Sequence, residues 1–371
     1  MLEPGLYEQV INKLIGSQLQ STPDDLKLID KIDEAEASEV LSRYVSEVVH
    51  KALDRISQDG DLTAKVDLVN KVVDLISGGD DMADLKDLTI SDNAQQLLAL
   101  LSGDDPMYKI KQKTAKDLVR PETSVAHSSL FTGAIHEPQM YSELKKEMES
   151  ADRIDMLVSF IKWSGLRLLY DELKAFTQRG GQLRIITTSY MGATDIKAIE
   201  ELEKLPGAQI RVSYDTKRTR LHAKAYIFYR KTGFTTAYVG SSNMSNVAMS
   251  SGLEWNIKVT AKDMAPTLNK IAATFDSYWN SSNFENYTKD SYNKLRKALS
   301  IERHGTALLV HGSKAHSRYF SETVIEKLKS GNYADNKELV IVDGANHTDL
   351  YDQMDKIPFD KLQIFFENSF V

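Results

Sequence analysis

Between Tyr214 and Asn256 the chain gathers residue types that suit phosphate chemistry: Lys217-Arg218-Thr219-Arg220-Leu221-His222-Ala223-Lys224, then Gly240-Ser241-Ser242-Asn243, then Glu254. His222 and Lys224 are two apart at the expected start of a strand, so both side chains should leave one face of a sheet. Ser242 and Asn243 follow the next expected strand, where a loop after Gly240 can turn hydroxyl and amide donors toward the same point. Glu254 opens a third strand and offers a carboxylate. Displacement at a phosphodiester needs a nucleophile, donors for the non-bridging oxygens and a proton for the leaving alkoxide. Neutral imidazole is nucleophilic near pH 7, and a carboxylate on its other nitrogen would fix the tautomer. Lysine and asparagine can clamp phosphate oxygens, and loss of one such donor typically slows a reaction about 100- to 1000-fold.

The neighbouring residues allow two readings each. Lys217, Arg218, Arg220 and Lys224 are either a solvated basic loop or a phosphate-steering patch beside His222. Trp163 and Tyr190, near strand ends, suit base stacking or core packing. Phe228 and Tyr238 read as core.

The elements that must position these residues follow from periodicity. Arg153–Phe160, Gln182–Thr188 and Gln209–Ser213 read as strands, and Ser164–Thr177 and Thr194–Leu205 as helices between them. Such alternation predicts a mainly parallel sheet covered on both faces. Ala223–Arg230, Thr235–Gly240 and Glu254–Thr260 then read as three strands with short connections, closed by a helix over Met264–Trp279. Upstream, helical spacing within Asp33–Ile56 predicts a core-facing amphipathic helix, with further helices over Leu62–Ile76 and Asn93–Leu101 in a bundle. Turn signals stand at Gly78–Asp81 and Ser102–Pro106.

A chain of 371 residues holds two or three domains. Its formal charge of −7 is unevenly spread: Met1–Asp105 carries 22 acidic and 9 basic residues, and the remainder 31 acidic and 37 basic. Any phosphate binding therefore belongs to the second part. The acidic part reads as solvated surface, or as a device that repels or mimics nucleic acid. No cysteine is present, which excludes disulfides, thiolate zinc sites and cysteine nucleophiles. No apolar run approaches the roughly 20 residues of a membrane span, and no secretory pattern opens the chain, so a cytoplasmic protein is expected.

The HxK of His222 and Lys224, the GSxN of Gly240–Asn243 and the later Glu254 resemble the signature of the phospholipase D superfamily. The resemblance implies an α/β fold: a phospholipase D-like mixed sheet flanked by helices, preceded by the N-terminal helical bundle and followed by a small α/β tail. It implies His222 as nucleophile or acid through a phosphohistidine, Lys224 and Asn243 as phosphate ligands, Ser241 or Ser242 as a further ligand, and Glu254 as the histidine's orienter. Tyr229 stands where the superfamily usually has an aspartate, which is similar to the metal-independent nuclease branch that uses a later glutamate. No metal or cofactor is then expected. The superfamily builds its site from two HxK halves, and His50, His127, His136, His304, His311, His316 and His347 all lack the lysine. A homodimer acting on nucleic acid, with DNA foremost, follows as an expectation. Gly5–Glu8, Ser128–Gly133, Leu157–Gly165, Thr187–Thr194 and Tyr214–Lys224 also resemble the nuclease module of bacterial superfamily 2 helicases, although the chain has no GxxxxGK[ST] phosphate loop.

The expected division is residues 1–119, 120–300 and 301–371. In the last part, strands over Thr306–Gly312 and Glu338–Val342 and helices over Ser321–Ser330 and Phe359–Phe366 resemble the C-terminal end of an α/β-hydrolase. His347 occupies the place of that family's triad histidine, yet no GxSxG elbow exists and His347 is expected to be unemployed. Asp343, Asp349 and Asp352 read as solvent-facing.

Overall fold

The computed structural model describes residues 2–56, 62–79, 81–91, 94–100, 114–218, 220–304, 307–329 and 337–369. It divides into two compact units, Met1–Lys116 and Asp117–Val371.

The first unit has helices α1 (Lys13–Leu19), α2 (Ala37–Arg55) and α3 (Leu62–Ser77). The two longer helices form where apolar spacing places them, but none of their described side chains is buried. Leu41, Val45 and Val48 of α2 stay about half exposed, so this face is not core-facing within the unit. The helix expected over Asn93–Leu101 is absent from its described part, residues 94–100. Two local ties account for this. The Asn70 side chain accepts from Ile90 N–H and donates to Ile90 C=O, and Ala94 is left-handed at φ 44°, which prevents a helix from starting there. The turn at Ser102–Pro106 lies outside the described residues.

The second unit is built on an eight-stranded mixed sheet. Its strands are β1 (Ser129–Phe131), β2 (Arg153–Leu157), β3 (Gln182–Thr188), β4 (Gln209–Ser213), β5 (Ala225–Tyr229), β6 (Thr236–Gly240), β7 (Asn256–Thr260) and β8 (Phe284–Asn286). Their order is β1-β7-β6-β5-β2-β3-β4-β8. Only β2, β3 and β4 pair in parallel. The other pairings are antiparallel, so the sheet is mixed rather than mainly parallel. The reason is local: the short β5–β6 turn can join only antiparallel neighbours, whereas parallel strands need a crossover of a dozen or more residues. Helices α5 (Trp163–Gln178) and α6 (Ile196–Glu203) are the crossovers that make β2–β4 parallel.

Strand alternation divides the core into two layers. Ile154, Met156, Ile185, Phe228 and Tyr238 face Leu144 and Met148 of α4 (Met140–Ser150) and Leu166 and Leu173 of α5. Leu157, Ile186, Ile227, Ala237 and Val259 face Leu268 and Phe275 of α7 (Ala265–Asn280). Phe228 and Tyr238 are fully buried, as their sequence context requires.

Each layer is fastened by charge. On the second, Arg184 forks onto Asp155 at 2.8 and 2.6 Å and reaches Asp276 of α7 at 2.7 Å. On the first, the buried Glu147 of α4 receives Lys258 Nζ at 2.9 Å, Tyr238 Oη at 2.9 Å, Thr236 Oγ1 at 2.9 Å and the Arg230 guanidinium. Burial alone would raise the Glu147 carboxyl, but Arg230 and Lys258 prevail and hold it below the usual carboxylate range.

The remaining residues form α8 (Tyr292–His304) and the tail: β9 (Ala307–Gly312), α9 (Arg318–Lys329), β10 (Lys337–Val342), α10 (Asp349–Asp352) and α11 (Phe359–Ser369). β9 and β10 pair in parallel as a separate two-stranded sheet. His347 is exposed. Asp349 corrects its expected solvent-facing role: it is buried, accepts from Asn346 N–H at 3.0 Å and pairs with Lys356 at 2.7 Å.

Removing one partner of a buried ion pair leaves an uncompensated charge, which typically costs about 3–5 kcal/mol. Lys258→Met is therefore expected to lower unfolding free energy by about that amount in urea titrations, whereas Lys294→Met, on an exposed pair with Glu285, should change it little.

Candidate functional site

Strand direction brings the expected site residues to one end of the sheet. Leu157 at the end of β2 is opposite Ala225 at the start of β5. Ala225 is opposite Val239, and Gly240 at the end of β6 is opposite Asn256 at the start of β7. The loops that follow β2, β3, β4 and β6, and those that precede β5 and β7, therefore share one mouth.

His222 and Lys224 lie just before β5, which starts at Ala225 rather than at Ala223. Their proximity comes from a curl of the chain and not from strand alternation. Lys224 Nζ donates to the carbonyl of His222 at 2.6 Å, which draws the ammonium back along the chain. It then stands 3.0 Å from His222 Nδ1 and 3.2 Å from Nε2. The imidazole is exposed while Lys224 is buried. Burial pulls the Lys224 ammonium below the ordinary lysine value, and the charge of Glu254 pushes the other way.

Asn243 is buried, and its Oδ1 accepts from Phe160 N–H at 3.2 Å. That contact orients the amide, so the Nδ2 side is its donor. Ser242 is fully buried and is held by Asn256: Asn256 Nδ2 donates to Ser242 Oγ at 2.8 Å, and Ser242 N–H points to Asn256 Oδ1 at 3.4 Å. Tyr226 Oη donates to the Ser242 carbonyl at 3.1 Å. Ser241 is exposed and continues the β6–β7 ladder, its Oγ accepting from Trp255 N–H at 3.1 Å. Gly240 is required here, because a Cβ would lie 2.1 Å from the Trp255 carbonyl.

Two expected relations take a different form. Among the described residues no hydrogen bond or ion pair joins Glu254 to His222; the half-buried Glu254, two residues before β7, acts electrostatically on Lys224 and Tyr226. Tyr229 is at the far end of β5, roughly 13 Å along the strand from Ala225, and stacks under Arg153 at 3.7 Å. It belongs to the sheet's packing and not to the mouth.

The basic residues sit in the connection from β4 to β5. Lys217, Arg218 and Arg220 are exposed, and Asp215 Oδ1 accepts from Lys217 N–H at 3.2 Å and Arg218 N–H at 2.8 Å to fix the turn. Trp163 takes the packing role: it meets Tyr170 edge-on at 6.0 Å and carries Lys197 over its ring at 4.7 Å. The positioning residues Asn256 and Tyr226 have no role in the motif reading. The available signal was a polar atom on an inward-facing position at the start of each strand that borders the mouth.

Residues 144–279 match the family model described as cardiolipin synthase, PLD-like domain. An uncharacterized protein, PA2218 of Pseudomonas aeruginosa, is 55% identical over 60 residues, which is 16% of this chain; the match spans 15% of that relative's length. Among solved structures, NucT from Helicobacter pylori is 20% identical over 41% of this chain and 94% of its own, with a TM-score of 0.34. Nuc from Salmonella typhimurium, a phospholipase D family member, is 19% identical over 44% of this chain and all of its own, with a TM-score of 0.35. His222, Lys224, Ser242, Asn243 and Glu254 all fall within 144–279, the segment that is similar to the PLD-like domain.

Proposed function

We propose that the chain is a metal-independent phosphodiesterase that cleaves nucleic acid through a phosphohistidine formed on His222. The observation that carries this reading is the convergence at one mouth of an exposed imidazole, a lysine ammonium 3.0 Å from it and the oriented amide of Asn243, all inside the PLD-like segment.

In the first step an imidazole nitrogen of His222 attacks phosphorus in line, the phosphorus–oxygen bond to the leaving strand breaks, and the departing alkoxide takes a proton. Lys224 and the Asn243 amide hold the non-bridging oxygens as charge builds on them. In the second step water displaces the imidazole and releases the phosphate end. One His222 cannot be both nucleophile and proton donor in one turnover. A second copy of the chain, with its own His222 across a two-fold axis, supplies the acid. We assign Glu254 to Lys224, where its carboxylate favours the charged ammonium. The crossing connection, through Lys217, Arg218 and Arg220, steers the strand inward.

A second reading is a nucleic-acid-binding and dimerisation module of weak activity, derived from a helicase-associated nuclease. It draws on the exposed His222 ring, to which no carboxylate is hydrogen-bonded among the described residues.

Nicking of plasmid DNA is expected to persist in EDTA and to vanish in His222→Ala, with Lys224→Ala slower by about 100- to 1000-fold. Loss of nicking in EDTA would overturn the mechanism, and binding without nicking by a folded dimer would select the second reading. The pH profile adds an independent check. The lysine clamp is complete at low pH and is lost as pH rises through the lowered Lys224 value. The alkaline limb of kcat/KM should therefore fall below the ordinary lysine value of about 10.4, and Lys224→Arg should remove it.

A further inference from the structure

Among the described residues of the second unit, two that are not glycine hold left-handed backbone: Met191 at φ 61° and Arg220 at φ 37°. Both border the mouth. Met191 follows β3, and Arg220 lies two residues before His222 on the connection that crosses the ends of β3 and β2. Side chains resist this conformation, and it persists only where surrounding contacts impose it. Around Met191 such contacts are visible. Met191 N–H donates to Glu302 Oε2 of α8 at 3.1 Å, Gly192 N–H to the Ser189 carbonyl at 2.9 Å, and Tyr190 N–H to Thr188 Oγ1 at 3.0 Å.

The result is a surface of unusual make-up. The Arg220 guanidinium stands 5.9 Å from the centre of the Tyr190 ring, and Met191 beside it is 58% exposed. An aromatic ring, a planar cation and a polarizable thioether offer stacking partners for a flat π-system and few directional hydrogen bonds. Both Tyr190 and Trp163 carry a cation over the ring, but Trp163 also packs edge-on against Tyr170 and its cation stands nearer.

We propose that Tyr190, Met191 and Arg220 form a stacking platform for one unpaired base next to the phosphate held at His222 and Lys224, which makes single-stranded nucleic acid the preferred substrate. A duplex keeps both faces of each base within its own stack, so only an unpaired base can lie on such a platform. The platform presupposes that the site takes nucleic acid.

The test is fluorescence anisotropy on the full-length His222→Ala chain, with a labelled single-stranded oligonucleotide and a blunt duplex of the same sequence. The single strand is expected to bind more tightly. Adding Tyr190→Leu should weaken single-strand binding about tenfold and leave duplex binding unchanged, while Tyr190→Phe, which keeps the ring, should retain the preference. Met191→Gly, which accepts the left-handed backbone but removes the thioether, should also lose single-strand affinity while its melting temperature is maintained. Equal losses on both forms, or no loss in either Tyr190→Leu or Met191→Gly, would overturn the platform and leave the nucleic-acid site standing. Failure of the His222→Ala parent to bind either form would overturn the nucleic-acid reading and the platform together.

Discussion

The arrangement depends on a topological constraint: β4 and β5 are consecutive in the chain but are separated in the sheet by β3 and β2. The connection from Tyr214 to Lys224 must therefore cross the ends of two strands before β5 can begin. That crossing carries Arg220 over Tyr190, and it delivers His222 and Lys224 to a mouth already bordered by the loops after β2 and β6. A hairpin between β4 and β5 would have placed the same residues at a sheet edge, away from Asn243. The parallel set β2–β4 and the antiparallel set β5–β7 meet at the β2–β5 pairing, and the mouth lies at one end of this junction.

Much of this was legible from residue types. Gln182–Thr188 and Gln209–Ser213 form strands with the bounds that their β-branched composition and flanking glycines imply. The helix over Met264–Trp279 is displaced by a single residue at each end. The short outer strands β1 and β8 have no such legibility, since three residues carry no periodicity and owe their state to their neighbours. Helix α4 did leave a signal, in the spacing of Met140, Leu144 and Met148, which buries one apolar stripe. Glu143 and Glu147 share that buried face, and they interrupt the apolar pattern because their partners come from distant segments.

At the site, spacing identified the reactive types but not their contacts. The two-residue interval between His222 and Lys224 suggested strand alternation, whereas a lysine-to-carbonyl bond produces the pairing. Glu254 has the right chemistry to orient an imidazole, yet its charge bears on the ammonium instead. The role of Asn256 depends on a cross-strand partner, Ser242, and such pairings become visible only once register is known. Tyr229, the departure from the superfamily pattern, answers to Arg153 at the far end of its strand.

Lys224 and Lys258 are both buried, yet they differ in what each could offer an incoming anion. Lys258 spends its donors on Glu147 Oε1, Thr123 Oγ1 and the Thr123 carbonyl, and its charge is matched by a fully buried carboxylate. A phosphate arriving there would have to break an ion pair that fastens α4 to the sheet. Lys224 bonds to a carbonyl and lies against an imidazole, and among the described residues it forms no ion pair. Its burial, which holds the ammonium below the ordinary lysine value, is therefore only partly offset by the charge of Glu254. The same condition lets an incoming anion recover the lost electrostatic energy without displacing a structural partner. The contrast lies in the neighbours, because both places hold a buried lysine.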